Sequence, residues 1–254
     1  MIDHATTFDE YRSYLFSVAY RMLGSAMEAE DMVQETFLRW QKVTEDKIES
    51  VKAYLTTIIT RLCLDHLRSA KVQRENYVGA WLPEPLVSEQ VPDPEDNVDL
   101  AESLSIAFLI LLESLTPTER AVFLLREVFD YDYVDVARIV NKTEANCRQM
   151  VRRARQHITA RRPRFDPDPA AQEKLLLQFM EACLSGDMPG LLTLLADDIT
   201  FRSDGGGQIN SALNPIYGAD KVSRFLFGVL KKVPDGLTPH LARVNNRPGV
   251  ISYV

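Results

Sequence analysis

The sequence predicts a mainly α-helical protein that ends in a smaller α+β section. Three observations carry that prediction. Apolar residues recur at steps of three and four through the first 162 residues, the period of a half-buried helix. Two proline-rich joints interrupt the pattern: Ala80-Trp81-Leu82-Pro83-Glu84-Pro85 with Pro92 and Pro94, and Arg162-Pro163-Arg164-Phe165-Asp166-Pro167-Asp168-Pro169. Proline lacks the amide proton and clashes with the preceding turn, so neither joint continues a helix. Beyond the second joint, strand-like runs alternate with helices, the mark of an α+β unit. The expected divisions are a helical domain over 1–78, an acidic linker over 79–105, a second helical domain over 106–163 and an α+β domain over 170–254.

The first domain reads as three or four helices. Phe8, Tyr11, Leu15, Val18 and Met22 form one apolar stripe. A second helix begins at Ser25 with Glu28 three residues on, the pattern of a capping box, and buries Val33, Phe37 and Trp40. A third runs from about Ser50 with Val51, Tyr54, Ile58 and Leu62 inward. In the second domain Thr116-Pro117-Thr118-Glu119 is a helix start, with a threonine cap, proline in the first turn and glutamate at the third position. Val122, Leu125 and Phe129 face inward from it, and a short helix then buries Val136, Ala137 and Val140. In the last section helices are expected at about 171–184, 187–196 and 218–232, and strands at 199–202, 241–245 and 250–254.

Composition bounds the function classes. With 46% hydrophobic and 26% charged residues the chain has the balance of a soluble globular protein. Apolar runs such as Phe108–Leu112 are far too short for a bilayer, and no basic-then-apolar leader follows Met1. A cytoplasmic location and no membrane partner are expected. Cys63, Cys147 and Cys183 stand far apart on apolar helix faces, which reads as three buried, reduced thiols rather than a metal site or disulfide framework. No metal, cofactor or catalytic residue is expected.

The net charge of −7 argues against nucleic acid until its distribution is considered. Between Glu75 and Glu119 there is no Lys or Arg, while Glu84, Glu89, Asp93, Glu95, Asp96, Asp99 and Glu102 are acidic. Between Asn141 and Arg162 the bases crowd together against the single acid Glu144. Asn141-Lys142-Thr143 turns the chain, and in the helix that follows Cys147, Val151, Ala154 and Ile158 form the buried face. Lys142, Asn146, Arg148, Gln149, Arg152, Arg153 and Arg155 fall on the open side. Arg and Lys neutralise phosphates, and Asn, Gln and Arg have the forked groups that read base edges. Short helix, tight turn and recognition helix together make a helix-turn-helix. A solvated, Arg-rich helix in a bundle is the plainer reading of the same pattern.

Glu28-Ala29-Glu30-Asp31-Met32-Val33-Gln34-Glu35-Thr36-Phe37-Leu38-Arg39-Trp40 resembles the polymerase-binding helix of extracytoplasmic-function (ECF) sigma factors of the sigma-70 family. Tyr54-Leu55 through Ile59-Thr60-Arg61-Leu62-Cys63-Leu64-Asp65-His66-Leu67-Arg68 resembles the helix that follows it there. Ser114 to Arg120 and Val151-Arg152-Arg153-Ala154-Arg155 are similar to the family's promoter-binding domain four. The resemblance implies that Asp31, Gln34 and Glu35 contact core RNA polymerase. It also implies that Arg61, Asp65, Arg68 and Lys71 engage the melted minus-ten strand of promoter DNA, helped by the Gln41–Glu49 loop, and that the second domain's helix reads the minus-thirty-five element. Acids in a first helical turn also offset the macrodipole, and Arg61 and Asp65 also form an i, i+4 pair, so both sets have plainer readings. The acidic linker, by the same resemblance, imitates nucleic acid in the polymerase's RNA path; a solvated spacer is the alternative. Asn141 replaces a glycine that the family often has, and asparagine tolerates the left-handed turn.

Trp81-Leu82-Pro83-Glu84-Pro85 and Ser203-Asp204-Gly205-Gly206-Gly207 are similar to signatures of the sigma-factor subgroup with a SnoaL-like extension. That resemblance implies a curved sheet wrapped by helices around an apolar cone, with Phe179, Leu191, Leu194, Leu195, Phe225, Leu226 and Val229 as lining or as ordinary core. Such a cone can hold an unknown small ligand. Trp81, Pro83, Asp204, Gly205, Gly206 and Gly207 are expected to form a regulatory contact that sets the spacing of the two helical domains. Locally Asp204–Gly207 reads as a hairpin turn after the 199–202 strand. The sequence ends within a strand, short of the further strands that subgroup members carry, so the cone reads as truncated, with an open edge. Asp198, Asp204 and His240 are the obvious acid–base candidates there, and none has catalytic spacing. Two other functions compete: a ligand-sensing helix-turn-helix regulator that needs no polymerase, and a SnoaL-like enzyme fused to a DNA-binding module.

Overall fold

The computed structural model describes residues 4–43, 48–74, 81–88, 104–159, 168–206, 211–232 and 238–253. The chain forms two units, Met1–Asn76 with Pro83–Pro85 and Glu95–Arg162, and Tyr77–Leu82 with Leu86–Pro94 and Pro163–Val254.

The first unit holds seven described helices: α1 His4–Leu23, α2 Ala26–Trp40, α3 Val51–Arg74, α4 Ile106–Glu113, α5 Pro117–Glu127, α6 Tyr133–Val140 and α7 Glu144–Thr159. Phe8, Leu15, Val18 and Met22 of α1 are buried as the stripe requires, against Val33 and Trp40 of α2. Each such side chain contributes about 1.5–3 kcal/mol by leaving water. Trp40 donates its indole N–H to the His4 carbonyl at 3.0 Å, so the ring is buried without an orphaned donor. Thr116 and Glu119 complete the expected capping box of α5.

The buried face of α3 differs from the expected one. Leu55, Ile59, Cys63 and Leu67 are buried, one residue on from the predicted set, while Tyr54 is 36% exposed. The reason is tertiary. α3 packs against α1 and α2 and also against α5 and α6, so Thr56, Thr60 and Leu64 are buried as well and the apolar stripe alone misplaces the centre of the face. Thr56 satisfies its hydroxyl on the Lys52 carbonyl at 2.7 Å. Arg120, 4% exposed, lies where α1, α4 and α5 meet. It donates to the carbonyls of Leu112 (3.1 Å) and Met22 (2.6 Å) and to the Glu113 carboxylate (2.8 Å).

The second unit contains α8 Pro169–Ser185, α9 Met188–Leu194 and α10 Ala219–Leu230 with short strands β1 Val87–Ser88, β2 Thr200–Phe201 and β3 Ile216–Tyr217 and longer ones β4 Thr238–Val244 and β5 Arg247–Tyr253. The antiparallel sheet runs β1-β4-β5, and β2 pairs with β3. β4 and β5 turn on Asn245-Asn246, both at positive φ (50° and 62°), which asparagine accepts and a hairpin's twist favours. Buried Asn245 does more: its amide donates to the Leu86 carbonyl and its Oδ1 accepts from the Leu86 amide, both at 2.9 Å. That pair locks β1, unseen in the sequence, beside β4.

Three expectations change here. Asp204–Gly207 does not turn a tight hairpin, because β2 meets its partner only at Ile216, after a long connection. Of the suggested cone lining, Leu191 is buried while Val229 is 45% exposed. Cys183 is only half-buried, unlike Cys63 and Cys147.

Candidate functional site

The helix-turn-helix is assembled from caps. Asp132 accepts from the Asp135 amide at 2.8 Å to start α6. Asn141 ends that helix at φ 53°, ψ 55°, the left-handed conformation expected of it. Thr143 then accepts from the Asn146 amide at 3.3 Å and starts α7. Cys147, Val151, Ala154 and Ile158 are buried, which fixes the rotation of α7 and leaves Lys142, Asn146, Arg148, Gln149, Arg152, Arg153 and Arg155 exposed.

The arginines differ in what holds them. Arg148 pairs with Glu144 at 2.8 Å and lies 5.0 Å from the Tyr133 ring centre. Arg153 meets Glu119 at 3.8 Å. Arg155 donates to Glu127 at 2.6 Å, a hydrogen bond that, with the carboxylate's charge, raises its pKa. Arg152 is exposed and makes no ion pair among the described residues. Exposed pairs of this kind contribute about 0–1 kcal/mol, so a phosphate can replace the carboxylates.

On α2, Asp31 and Gln34 are exposed, and Glu35 accepts from Arg39 at 2.8 Å. The capping box expected at Ser25 is only half made. Ser25 accepts from the Glu28 amide at 3.2 Å, but the Glu28 carboxylate faces His66 at 3.1 Å. Glu84 caps the same helix end through other donors. Its Oε2 accepts from the Ala26 amide (2.8 Å), the Ser25 hydroxyl (3.1 Å) and the Met27 amide (3.4 Å). Its own amide donates to the Gly24 carbonyl at 2.7 Å, and its carbonyl accepts from the Tyr20 hydroxyl at 2.7 Å. A carboxylate at that end suits both the unpaired amides and the helix dipole. Nothing local in the sequence pairs Glu84 with α2.

The α3 residues do not act as one stripe. Arg61 donates Nε to the Ile139 carbonyl (3.0 Å) and Nη2 to the Arg138 carbonyl (3.1 Å), capping the last turn of α6. Asp65 therefore pairs with Arg68 at 3.2 Å rather than with Arg61, because Arg61 has the carbonyls. The side chain of Lys71 lies outside the described residues, as do 44–47 of the Gln41–Glu49 loop and every linker acid but Glu84.

In the second unit the Leu82 amide donates to Asp204 Oδ2, and the Gly206 amide to Oδ1, each at 2.9 Å. Trp81 and Gly205 are half-buried and Gly206 is exposed, with φ 60°. Pro83 is buried in the first unit, and Gly207 lies outside the described residues. Asp198 and His240 are exposed. Among the described residues there is no group of three metal-ligating side chains, and no helix is long and apolar enough to cross a membrane.

Comparison with known proteins gives this geometry its context. Residues 7–72 match the model of Sigma-70 region 2, and residues 106–158 that of Sigma-70, region 4. The chain is 40% identical over 247 residues to the ECF RNA polymerase sigma factor SigJ of Mycobacterium tuberculosis (strain ATCC 25618 / H37Rv), spanning 95% of this chain and 78% of that one. It is 36% identical over 214 residues to the probable ECF RNA polymerase sigma factor SigI of Mycobacterium tuberculosis (strain CDC 1551 / Oshkosh), spanning 84% and 72%. The crystal structure of the Mycobacterium tuberculosis extracytoplasmic function sigma factor SigJ superposes with a TM-score of 0.80 at 36% identity, over 98% of this chain and 84% of that one. The mainly helical fold with two sigma domains and a small sheet region agrees with that structure. Two sigma regions in the right order, a capped helix-turn-helix and relatives matched over most of their length lead to one conclusion: this chain belongs to the ECF RNA polymerase sigma factors, alternative sigma factors that direct transcription initiation.

Proposed function

We propose that the chain joins core RNA polymerase through Asp31, Gln34 and Glu35 of α2 and reads a promoter with both helical sections. In this reading Lys142, Asn146, Arg148, Gln149, Arg152, Arg153 and Arg155 contact the minus-thirty-five element. Arg61, Asp65, Arg68 and Lys71 engage the melted minus-ten strand, where cations flanking unstacked bases suit single-stranded DNA. The observation that carries the reading is the two-sidedness of α7: its apolar face is buried and its donor-rich face is open. The second unit, read as a SnoaL-like domain with a small-ligand cone, modulates activity through the Asp204 contact with the linker backbone. It performs no catalysis, and the protein works in the cytoplasm beside its polymerase.

Run-off transcription tests this with purified bacterial core polymerase, the full chain and a randomised promoter pool. Specific transcripts that disappear with Arg152→Ala/Gln149→Ala support the reading. Transcripts indifferent to those changes, or DNA binding without any association with core polymerase, would favour the regulator that acts alone. Adding Asp204→Ala reports the sign of the second unit's effect, and an unchanged yield removes the regulatory contact.

A further inference from the structure

We propose that Tyr133 is a positioning residue for promoter reading: its ring, at the start of α6, fixes the Arg148 guanidinium on α7 so that it meets one base of the minus-thirty-five element. The proposal rests on the reading of Arg148 as a minus-thirty-five residue. Tyr133 lies outside the pattern that marks the open side of α7, because it stands on the preceding helix.

Arg148 has two partners of different kinds. Its Nη2 donates to Glu144 at 2.8 Å across one turn of α7, and its guanidinium carbon lies 5.0 Å from the centre of the Tyr133 ring. DNA affects the two oppositely. The carboxylate competes with base and phosphate oxygens for the same N–H groups. The ring attracts the cation through its π face and is no rival acceptor for the fork of donors that pairs with a guanine edge. The ring contact can therefore persist in the complex after the Glu144 pair is given up.

The ring is itself held. Tyr133 is the first residue of α6, whose start is fixed by the Asp132 cap. The Arg126 guanidinium carbon lies 5.2 Å from the same ring centre. Arg126 Nη1 in turn donates to the Tyr131 carbonyl at 2.9 Å and pairs with Asp130 at 3.4 Å. Tyr133 is half-buried, whereas the Arg148 side chain is 58% exposed, so an anchored ring carries an open head group. Among the described residues no other arginine of α7 lies over a ring. Arg153 and Arg155 have only the acids Glu119 and Glu127. A side chain settled in advance loses less freedom on binding. Its fixed geometry is what a bidentate base contact requires, whereas a phosphate contact positions the protein without reading sequence.

The test uses holoenzyme reconstituted from the full chain and core polymerase. Competition between a promoter recovered from the randomised pool and its single-base minus-thirty-five variants gives the preference at each position, and a salt series gives the slope. Circular dichroism confirms that each variant chain is folded. Arg148→Ala should erase the preference at one position, a loss of at least about five-fold. Tyr133→Leu and Tyr133→Met keep apolar bulk without the ring, and should lower the preference at that same position by about two- to five-fold. Other positions and the salt slope should not move, because the Arg148 charge is still present. Tyr133→Phe, which keeps the ring, and Glu144→Gln, which removes the rival carboxylate, should both retain the wild-type preference. The positioning role is refuted if the ring-less variants lose affinity evenly at every position, as a loosened helix-turn-helix would. It is also refuted if they keep the wild-type preference, or if Tyr133→Phe or Glu144→Gln loses it. In each of those cases the reading of Arg148 stands so long as Arg148→Ala flattens one position. If Arg148→Ala flattens none, Arg148 reads no base and both fall together.

Discussion

Arg120→Ala tests whether a buried cation joins the helices of the first unit. The side chain is 4% exposed and its three hydrogen bonds end on two helix-terminal carbonyls, Met22 and Leu112, and one carboxylate, Glu113. Truncation removes all three bonds and leaves both carbonyls without their donor in a site built to exclude water. A buried acceptor stripped of its partner costs about 1–3 kcal/mol. Removing one partner of a buried ion pair costs about 3–5 kcal/mol. These penalties overlap, so a total of about 3–5 kcal/mol is expected. Urea denaturation followed by Trp40 fluorescence in a Trp81→Phe background reads the unit directly, because Trp40 is buried in it and the chain has two tryptophans. With a slope near 2 kcal/mol/M, the midpoint should fall by about 2 M. Arg120→Lys keeps the charge but not the fork, and should fall between. An Arg120→Ala midpoint within about 0.3 M of wild type would refute the reasoning and mean that water satisfies those carbonyls.

Glu84→Ala should cost about 0.5–2 kcal/mol as a lost cap, seen as faster hydrogen exchange at the Ala26 and Met27 amides, while Glu84→Gln should keep most of the protection. Burial pushes the Cys63 thiol well up, with the Glu28 carboxylate adding to it, and raises Cys147 too. The native chain therefore keeps thiol protons that the unfolded chain loses, so unfolding free energy should fall as pH rises past the ordinary thiol value of 9.0,. In thiol titration with a disulfide reagent Cys183 should react first, and Cys63 and Cys147 only on unfolding. Equal rates for all three would contradict this. Arg152→Ala should weaken promoter binding by a similar factor on every sequence and lower the salt slope by about 1. A change in sequence preference instead would make Arg152 a base-reading residue.

What was legible in the sequence is what local chemistry determines. The Thr116–Glu119 box, the left-handed Asn141 and the inward face of α7 follow from residues a few positions apart, and each is where its pattern puts it. The failures share a physical cause. The α3 face departs from the apolar stripe because a helix covered from two sides has no single stripe. The Ser25–Glu28 box is only half made because Glu28 faces His66 instead, and a carboxylate more than fifty residues away takes the Ala26 and Met27 amides. Arg61 looked like a partner for Asp65, yet helix-end carbonyls far along the chain take its donors. β1 has no local signature because its two residues are a strand only beside β4, and Asn245 gives no sign that it will hold Leu86.

That short strand has a consequence for how the protein is made. The sheet of the second unit takes an outer strand from residues 87–88 and two others from 238–253, so its closing contact spans more than 150 positions. Contacts so distant form late and slowly, and a chain emerging from the ribosome amino terminus first meets them well after its helical sections. Until β4 and β5 are synthesised, the Leu86 amide and carbonyl have no Asn245 to bind. The linker's final register is therefore imposed only once β4 and β5 have been made, by residues synthesised long after the helices on either side of it.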